Sequence, residues 1–324
     1  MTDMIIGEAW GAEEDQNFRK LGVPCPFSGE AGKELDRWLT FAKLNRSGFF
    51  ISNVFNCRPP HNDVGYFFAK PATVKSGIVL SVKHPVPYKS HGVLKAEFDC
   101  ELDRLHTEIA SVNPAKILAL GATALWALLG KSAITQYRGV WCQSQHGNVA
   151  VLPTYHPAYV LRKYATKVFA VHDVLKFARG YSRPAERNIY VAESLEDCEF
   201  FRRSFVLPTS TLAIDIETKS EITMISVALS GDKSLVIDLR RLPDVIGWLS
   251  WLLHQPHEKV MQNATYDLTW LASYGIKPAG VIHDTMLLSH SLQPELPKDL
   301  GTLASLHLNE HAWKPLGRSL KSDD

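Results

Sequence analysis

Two carboxylates, Asp215 and Glu217, stand two residues apart in the run TLAIDIET (211–218). Such an apolar, β-branched run reads as a strand, and the strand period of two puts both acids on one face. Carboxylates held that close repel, and a bound cation relieves the repulsion. Further along, Asn263 and Asp267 are four apart at the start of an expected helix, 264–274, so they share one of its faces. In the first half, polar clusters follow apolar runs: Gly7 to Gly11 behind Met4-Ile5-Ile6, Asn53 to Pro60 at the end of FFISNVF, and Pro153-Thr154-Tyr155-His156-Pro157 behind 149–152. Each has an ordinary structural explanation. Gly7 and Gly11 shape a turn, Asn53 caps a strand end, and His156 is a satisfied loop histidine. Asp215 and Glu217 are a polar strand edge, and Asn263 and Asp267 are a helix cap plus an exposed acid. The order and separation of the clusters weaken these explanations.

The elements that must position them are legible from period and punctuation. Expected strands at 4–6, 49–55, 117–120 and 149–152 alternate with helices at 31–42 and 124–129, and Pro59-Pro60 stops the second strand. Strand–loop–helix repetition implies a parallel sheet with helices on both faces, whose ligands bind at the carboxyl ends of the strands. The polar clusters sit at those ends. In the second half, 222–229 and 235–239 read as antiparallel strands about a Ser230-Gly231-Asp232-Lys233 turn. Helices follow at 244–253 and 264–274, and another starts at His283-Asp284-Thr285-Met286.

The polar stretch YSRPAERN (181–188) has no apolar period and marks a boundary, giving domains 1–183 and 189–324 with a linker at 184–188. Across 324 residues, 35 Lys+Arg against 34 Asp+Glu give a net charge of +1. The halves differ: 22 Lys+Arg minus 15 Asp+Glu gives +7 for 1–183, and 13 minus 19 gives −6 for 184–324. A basic half suits a phosphate backbone and an acidic half suits metal ions. Five cysteines are too few for a disulfide framework, so a reducing compartment is expected. The N-terminus lacks the layout of a signal peptide, and the uncharged stretch between Lys116 and Lys131 is too short to span a bilayer. A cytoplasmic protein without a membrane partner is therefore expected, within the bacterial host if the chain is phage-encoded.

The ordered set GEAWGAEED, PFSGEAGKELDRWL, FFISNVFNCRPPHND, KILALGATALWALLG and VLPTYHPAYVLR resembles the uracil-DNA glycosylase superfamily over about residues 4–180, in its family-4 type and phage relatives. The resemblance implies a three-layer α/β domain on a parallel sheet. By the same resemblance, Glu8 and Glu14 are the first-motif acids, Phe27 stacks on the flipped base, Asn53 reads the pyrimidine edge and His156 supports the departing uracil anion. The chemistry suits these types. An extruded base is read by stacking and amide hydrogen bonds, and an imidazole donor stabilises a developing anion. Trp10 stands where the family usually has proline, so a differently shaped first-motif loop is expected. Family-4 members hold an iron–sulfur cluster with four cysteines. Only Cys57 and Cys100 match, and two thiolates do not complete such a site, so no cluster is expected.

In the second half DIET, QNATYDLTWL and HDTMLLSHSLQPELPKDLGTLASLH resemble the 3′–5′ proofreading exonuclease domain of family A DNA polymerases over about residues 188–314. The resemblance implies a ribonuclease-H-like mixed sheet. It implies Asp215, Glu217 and Asp267 as metal ligands and Asn263 as a positioning residue. Two divalent ions, Mg²⁺ or Mn²⁺, would activate water and stabilise the leaving 3′ oxygen. The family's third motif, a Tyr three residues before an Asp, has no counterpart in PLGRSLKSDD, where Asp323 and Asp324 lack such a tyrosine. The expectation is thus a domain incomplete at its C-terminus, from the N-terminal part of a phage-type polymerase ended early by truncation, gene splitting or a changed reading frame, with a separately encoded polymerase domain as one candidate partner. DNA, single-stranded or at a 3′ end, is the expected partner. Three functions follow: an exonuclease with weak or no activity in this chain alone, a catalytically impaired DNA-binding accessory module, and a uracil-excising repair glycosylase.

Overall fold

Met4, Ile5 and Ile6 are all fully buried, yet they belong to two different cores. A computed structural model of the chain describes residues 2–71, 77–145, 147–181, 186–230 and 232–310. Its contacts form two units. One runs to Ser182 and takes in the segment from Ala304, and the other is Arg183–Leu303. Residues 182–185, within the expected boundary stretch, and PLGRSLKSDD lie outside the described residues.

In the first unit the strands are β1 (Asp3–Ala9), β2 (Phe49–Phe55), a short antiparallel pair β3 (Phe68–Ala69) and β4 (Val93–Leu94), β5 (Lys116–Leu120), β6 (Cys142–Gln143) and β7 (Ala150–Thr154). The helices are α1 (Ala12–Leu21), α2 (Glu30–Phe41), α3 (Asp99–Val112), α4 (Gly121–Leu129), α5 (Ile134–Tyr137), α6 (Pro157–Arg162) and α7 (Lys167–Arg179). The main sheet has the order β2-β1-β5-β7-β6, parallel except for β6. Successive residues of its strands point to opposite faces, and both faces are covered. Met4, Ile6, Ile117, Ala119 and Val151 meet Leu102, Leu105 and Ile109 of α3 and Leu125 and Leu128 of α4. Ile5, Leu118, Leu120 and Leu152 meet Leu35, Trp38 and Leu39 of α2 and Val174 and Phe177 of α7. Each such Val, Leu, Ile, Met or Phe side chain contributes about 1.5–3 kcal/mol of hydrophobic stabilisation. The expected end of the fourth strand at 152 is two residues early, because β7 continues through Pro153 and Thr154. Proline's missing N–H costs little there, because β6 pairs only with Ala150 and Val151. The Pro153 carbonyl is still used, accepting from the Gly139 N–H at 2.9 Å. Helix α1 had no sequence-level expectation; its mixed composition hides any apolar period.

The second unit is a six-stranded mixed sheet, β13-β12-β9-β10-β11-β8. Its strands are β8 (Asn188–Ala192), β9 (Leu212–Thr218), β10 (Ile222–Ser230), β11 (Lys233–Asp238), β12 (Lys259–Met261) and β13 (Ile282–Asp284). Its helices are α8 (Leu195–Phe205), α9 (Ile246–His254), α10 (Ala264–Ser273) and α11 (Thr285–Leu292), while α12 (Leu300–His307) crosses the boundary at Leu303. The expected antiparallel pair is present as β10 and β11, and β9 runs antiparallel to β10 on its other side. Leu212, Ile214 and Ile216 bury one face of β9 against Phe201, Leu249, Leu252 and Leu271. Ala213, Asp215 and Glu217 alternate onto the exposed face, as the period of two requires.

Two details differ from the sequence reading. His283 and Asp284 end a strand rather than open a helix, and the Asp284 carboxylate caps α11 by accepting from the Met286 N–H at 2.8 Å. Asn263 does not share a helical face with Asp267. It is the residue before α10, in the left-handed region at φ 60° and ψ 53°. Asparagine tolerates that conformation better than most residues, so the sequence reached the right neighbourhood through the wrong geometry. No helix among the described residues is long and apolar enough to cross a membrane.

Candidate active sites

Glu8, Trp10, Glu14, Phe27, Asn53 and His156 line one pocket of about 540 Å³ in the first unit. It opens where β1, β2, β5 and β7 end. Glu8 is the penultimate residue of β1. Its Oε2 accepts from the Thr123 hydroxyl at 2.5 Å, and that hydroxyl lies 3.1 Å from the Tyr88 hydroxyl. Glu14 plays a different part. Its Oε2 accepts from the Gly11 N–H at 3.0 Å and its Oε1 from the Ser28 N–H at 3.2 Å. One carboxylate thereby fastens the first-motif loop to the loop that carries Phe27.

Phe27 is buried and sits at φ 58°, an unfavourable value for an aromatic residue. The Arg46 guanidinium holds it there, donating to the carbonyls of Pro26 at 2.8 Å and Phe27 at 3.2 Å. The backbone of α2 also presses on it, since a Cβ on Gly32 would lie 1.7 Å from the Phe27 oxygen. The Phe27 ring centroid is 5.6 Å from that of His156. Asn53 lies beside Gly7 in the β1–β2 register. A Cβ on Gly7 would fall 2.3 Å from Asn53 Oδ1 and 2.5 Å from Phe27 Cζ. Arg104 of α3 grips the end of β2, donating to the carbonyls of Asn53 at 2.8 Å and Val54 at 3.0 Å, while Glu101 and Glu108 hold the guanidinium.

His156 caps α6. Its Nδ1 accepts from the Ala158 N–H at 3.2 Å, so the neutral ring carries its proton on Nε2. Burial keeps its pKa below the ordinary 6.5, outweighing the opposing pull of Glu8. The ring is therefore a neutral donor near pH 7. Trp10 is buried against Phe18, with ring centroids 4.8 Å apart, and its indole N–H has no partner. Sequence reading missed Arg104, Thr123 and Tyr88. The Glu101–Arg104–Glu108 spacing was a faint signal for the first, whereas Tyr88 lies in an irregular loop that offers none.

In the second unit Asp215 and Glu217 project from β9, and Asp267, buried, comes from the first turn of α10. Burial, then the charge of Glu217, raises the Asp215 carboxyl above its usual range. Burial, then the charge of Asp215, pushes Asp267 up to about 6. The all-oxygen, mutually repelling donor set suits a hard divalent cation. As the side chains stand, no three His, Cys, Asp or Glu among the described residues are gathered closely enough to hold one. Asn263 stands between β12 and α10, where its N–H donates to Asp284 Oδ1 at 3.1 Å. Cys57 and Cys100 are free thiols, and burial pushes the first up to about 11.

Both units are α/β folds, and in the first the candidate side chains gather where the parallel strands end. Residues 3–175 match the model of the uracil DNA glycosylase superfamily, and residues 192–314 match that of the 3′–5′ exonuclease domain of family A polymerases. The chain belongs to the uracil DNA glycosylase superfamily and carries this exonuclease domain behind it, the parts of a DNA repair or replication protein. The type-4 uracil-DNA glycosylase of Pyrobaculum aerophilum is 32% identical over 184 residues, 55% of this chain and 76% of that protein. DNA polymerase I of a Synechocystis species is 44% identical over 70 residues, 21% of this chain and only 7% of the polymerase. The solved EXD2 exonuclease domain, soaked in Mg and dGMP, is 20% identical over 39% of this chain and 72% of that one, with a TM-score of 0.28.

Proposed function

We propose that the first unit excises uracil from DNA by breaking the N-glycosidic bond. The observation that carries this reading is the convergence of an acid, an aromatic ring, an amide and a neutral imidazole on one pocket. Phe27 stacks on the extruded base and the Asn53 amide pairs with its imide edge. The C1′–N1 bond breaks, and its electron pair goes to the pyrimidine ring. The Nε2–H of His156 donates to the oxygen on which that charge develops. Water adds to C1′ and gives its proton to the Glu8 carboxylate, which passes it to solvent. The test is a uracil-containing oligonucleotide treated with alkali after incubation. Cleavage at the uracil supports the reading; an intact strand, with protein shown to be folded, overturns it.

A second reading concerns the other unit, and the Asp215–Asp267 repulsion favours it. There Asp215, Glu217 and Asp267 would hold divalent ions, with Asn263 as a positioning residue, for 3′–5′ hydrolysis of a DNA strand. When bound, the ions would supply an activated water and neutralise charge at the scissile phosphate. A readout independent of activity is stability. The folded Asp267 carboxyl titrates near 6 against an ordinary 3.8, so its ionised form opposes folding. The penalty is complete above about pH 6 and disappears as pH falls to 3.8. Asp267→Asn is expected to stabilise the protein at pH 8 by up to about 3 kcal/mol and to gain nothing near pH 4. Magnesium is expected to stabilise the parent more than the variant. Denaturant titrations at both pH values check this, and equal magnesium responses would rule out the metal role.

A further inference from the structure

The Thr123 hydroxyl has one proton, and the short contact assigns it to Glu8. Tyr88 must then donate to Thr123, so the chain runs in one direction: Tyr88 Oη–H to Thr123 Oγ1, and Thr123 Oγ1–H to Glu8 Oε2. Every link is positioned by the fold. Thr123 is fully buried in the first turn of α4, two residues after Gly121, whose φ of 91° turns β5 into that helix. Tyr88 is fixed between the ring of Phe68, 4.9 Å away, and that of His91, 5.6 Å away. Burial raises the Tyr88 hydroxyl to about 12, so it remains a donor at any working pH. Oε2 of Glu8 is thereby occupied, whereas Oε1, in a residue that lines the pocket, takes no hydrogen bond from the described residues.

We propose that Thr123 and Tyr88 are positioning residues that hold the Glu8 carboxylate turned so that Oε1 takes the proton of the attacking water. This deepens the glycosylase reading and rests on it. It also separates the two first-motif acids by role: Glu8 has an oxygen free for chemistry, whereas both oxygens of Glu14 are taken by backbone N–H groups.

The experiment is steady-state excision of uracil by the full chain and its variants. Thr123→Val keeps the shape and removes the donor. It is expected to lower kcat by about ten- to a hundredfold, as loss of a hydrogen bond to a charged group does, with KM changed less than about twofold. Thr123→Ser is expected to restore kcat. On a Glu8→Gln background the same Thr123→Val change is expected to cost nothing further, because the group it orients no longer takes a proton. Tyr88→Phe, which leaves Thr123 in place, is expected to give a smaller fall in kcat and serves if Thr123→Val does not fold. A kcat equal to the parent in Thr123→Val, or a fall as large on Glu8→Gln as on the parent, would overturn the proposal while leaving the glycosylase reading intact. A folded parent that leaves uracil in place would overturn both.

Discussion

Exchanging His156 for alanine is expected to slow uracil release by about a hundred- to a thousandfold, the usual cost of removing one donor aimed at a developing anion. The substitution also removes the cap of α6, which costs about 1 kcal/mol of stability. The two losses are separable. His156→Asn keeps a side-chain acceptor at the cap and is expected to recover the stability but not the rate. The parent's rate is expected to stay level as pH falls toward 6.5, because protonating Nδ1 would break the bond from the Ala158 N–H and burial opposes the charge. Stability behaves differently. Below pH 6.5 the unfolded chain takes up a proton that the folded ring resists, so this histidine's contribution to stability declines as pH falls. Single-turnover rates and thermal melts of the three proteins over pH 6 to 8 check these expectations. A His156→Ala rate within tenfold of the parent would remove the histidine from the mechanism.

Asp173→Ala is expected to destabilise the first unit by about 3–5 kcal/mol, the cost of leaving a buried charge without its partner. The Asp173 carboxylate is fully buried against the Arg138 guanidinium, which donates to both of its oxygens, and the Thr154 hydroxyl donates to it at 2.7 Å. Thr154 is the last residue of β7, two before His156. The pair therefore anchors the strand that delivers the imidazole. Arg138 would keep its bond to the Ser305 hydroxyl at 3.1 Å, but a neutral hydroxyl does not compensate a buried guanidinium. Removing both partners, as in Arg138→Met with Asp173→Leu, is expected to recover most of the loss. Urea unfolding followed by tryptophan fluorescence measures it. A loss below about 1 kcal/mol for Asp173→Ala would show the pair to be solvated in solution.

The sequence was most informative where a local period governs local structure. The alternation in β9 put Asp215 and Glu217 on a common face because strand geometry leaves no other arrangement. The polar clusters of the first half lie at strand ends because a parallel sheet covered on both faces leaves its ends open to ligand. What escaped were the contacts set by tertiary packing. Asn263 leaves the helix in a left-handed conformation that no spacing rule reveals. Pro153 continues a strand that its residue type argues against, because β6 does not extend alongside it. Tyr88 reaches Glu8 through a threonine 35 residues away, a relation that exists only once β5 and α4 have packed.

Gly7 sets a different kind of limit. A methyl group there would collide with the Asn53 amide and the Phe27 ring, both buried, and Phe27 packs in the same core as Leu35, Trp38 and Phe177. A side chain at this position therefore displaces a core aromatic ring and a buried amide together, and costs folding stability as well as pocket shape. Glycine at position 7 is thus required twice over, by the side chains that line the pocket and by the packing that holds them.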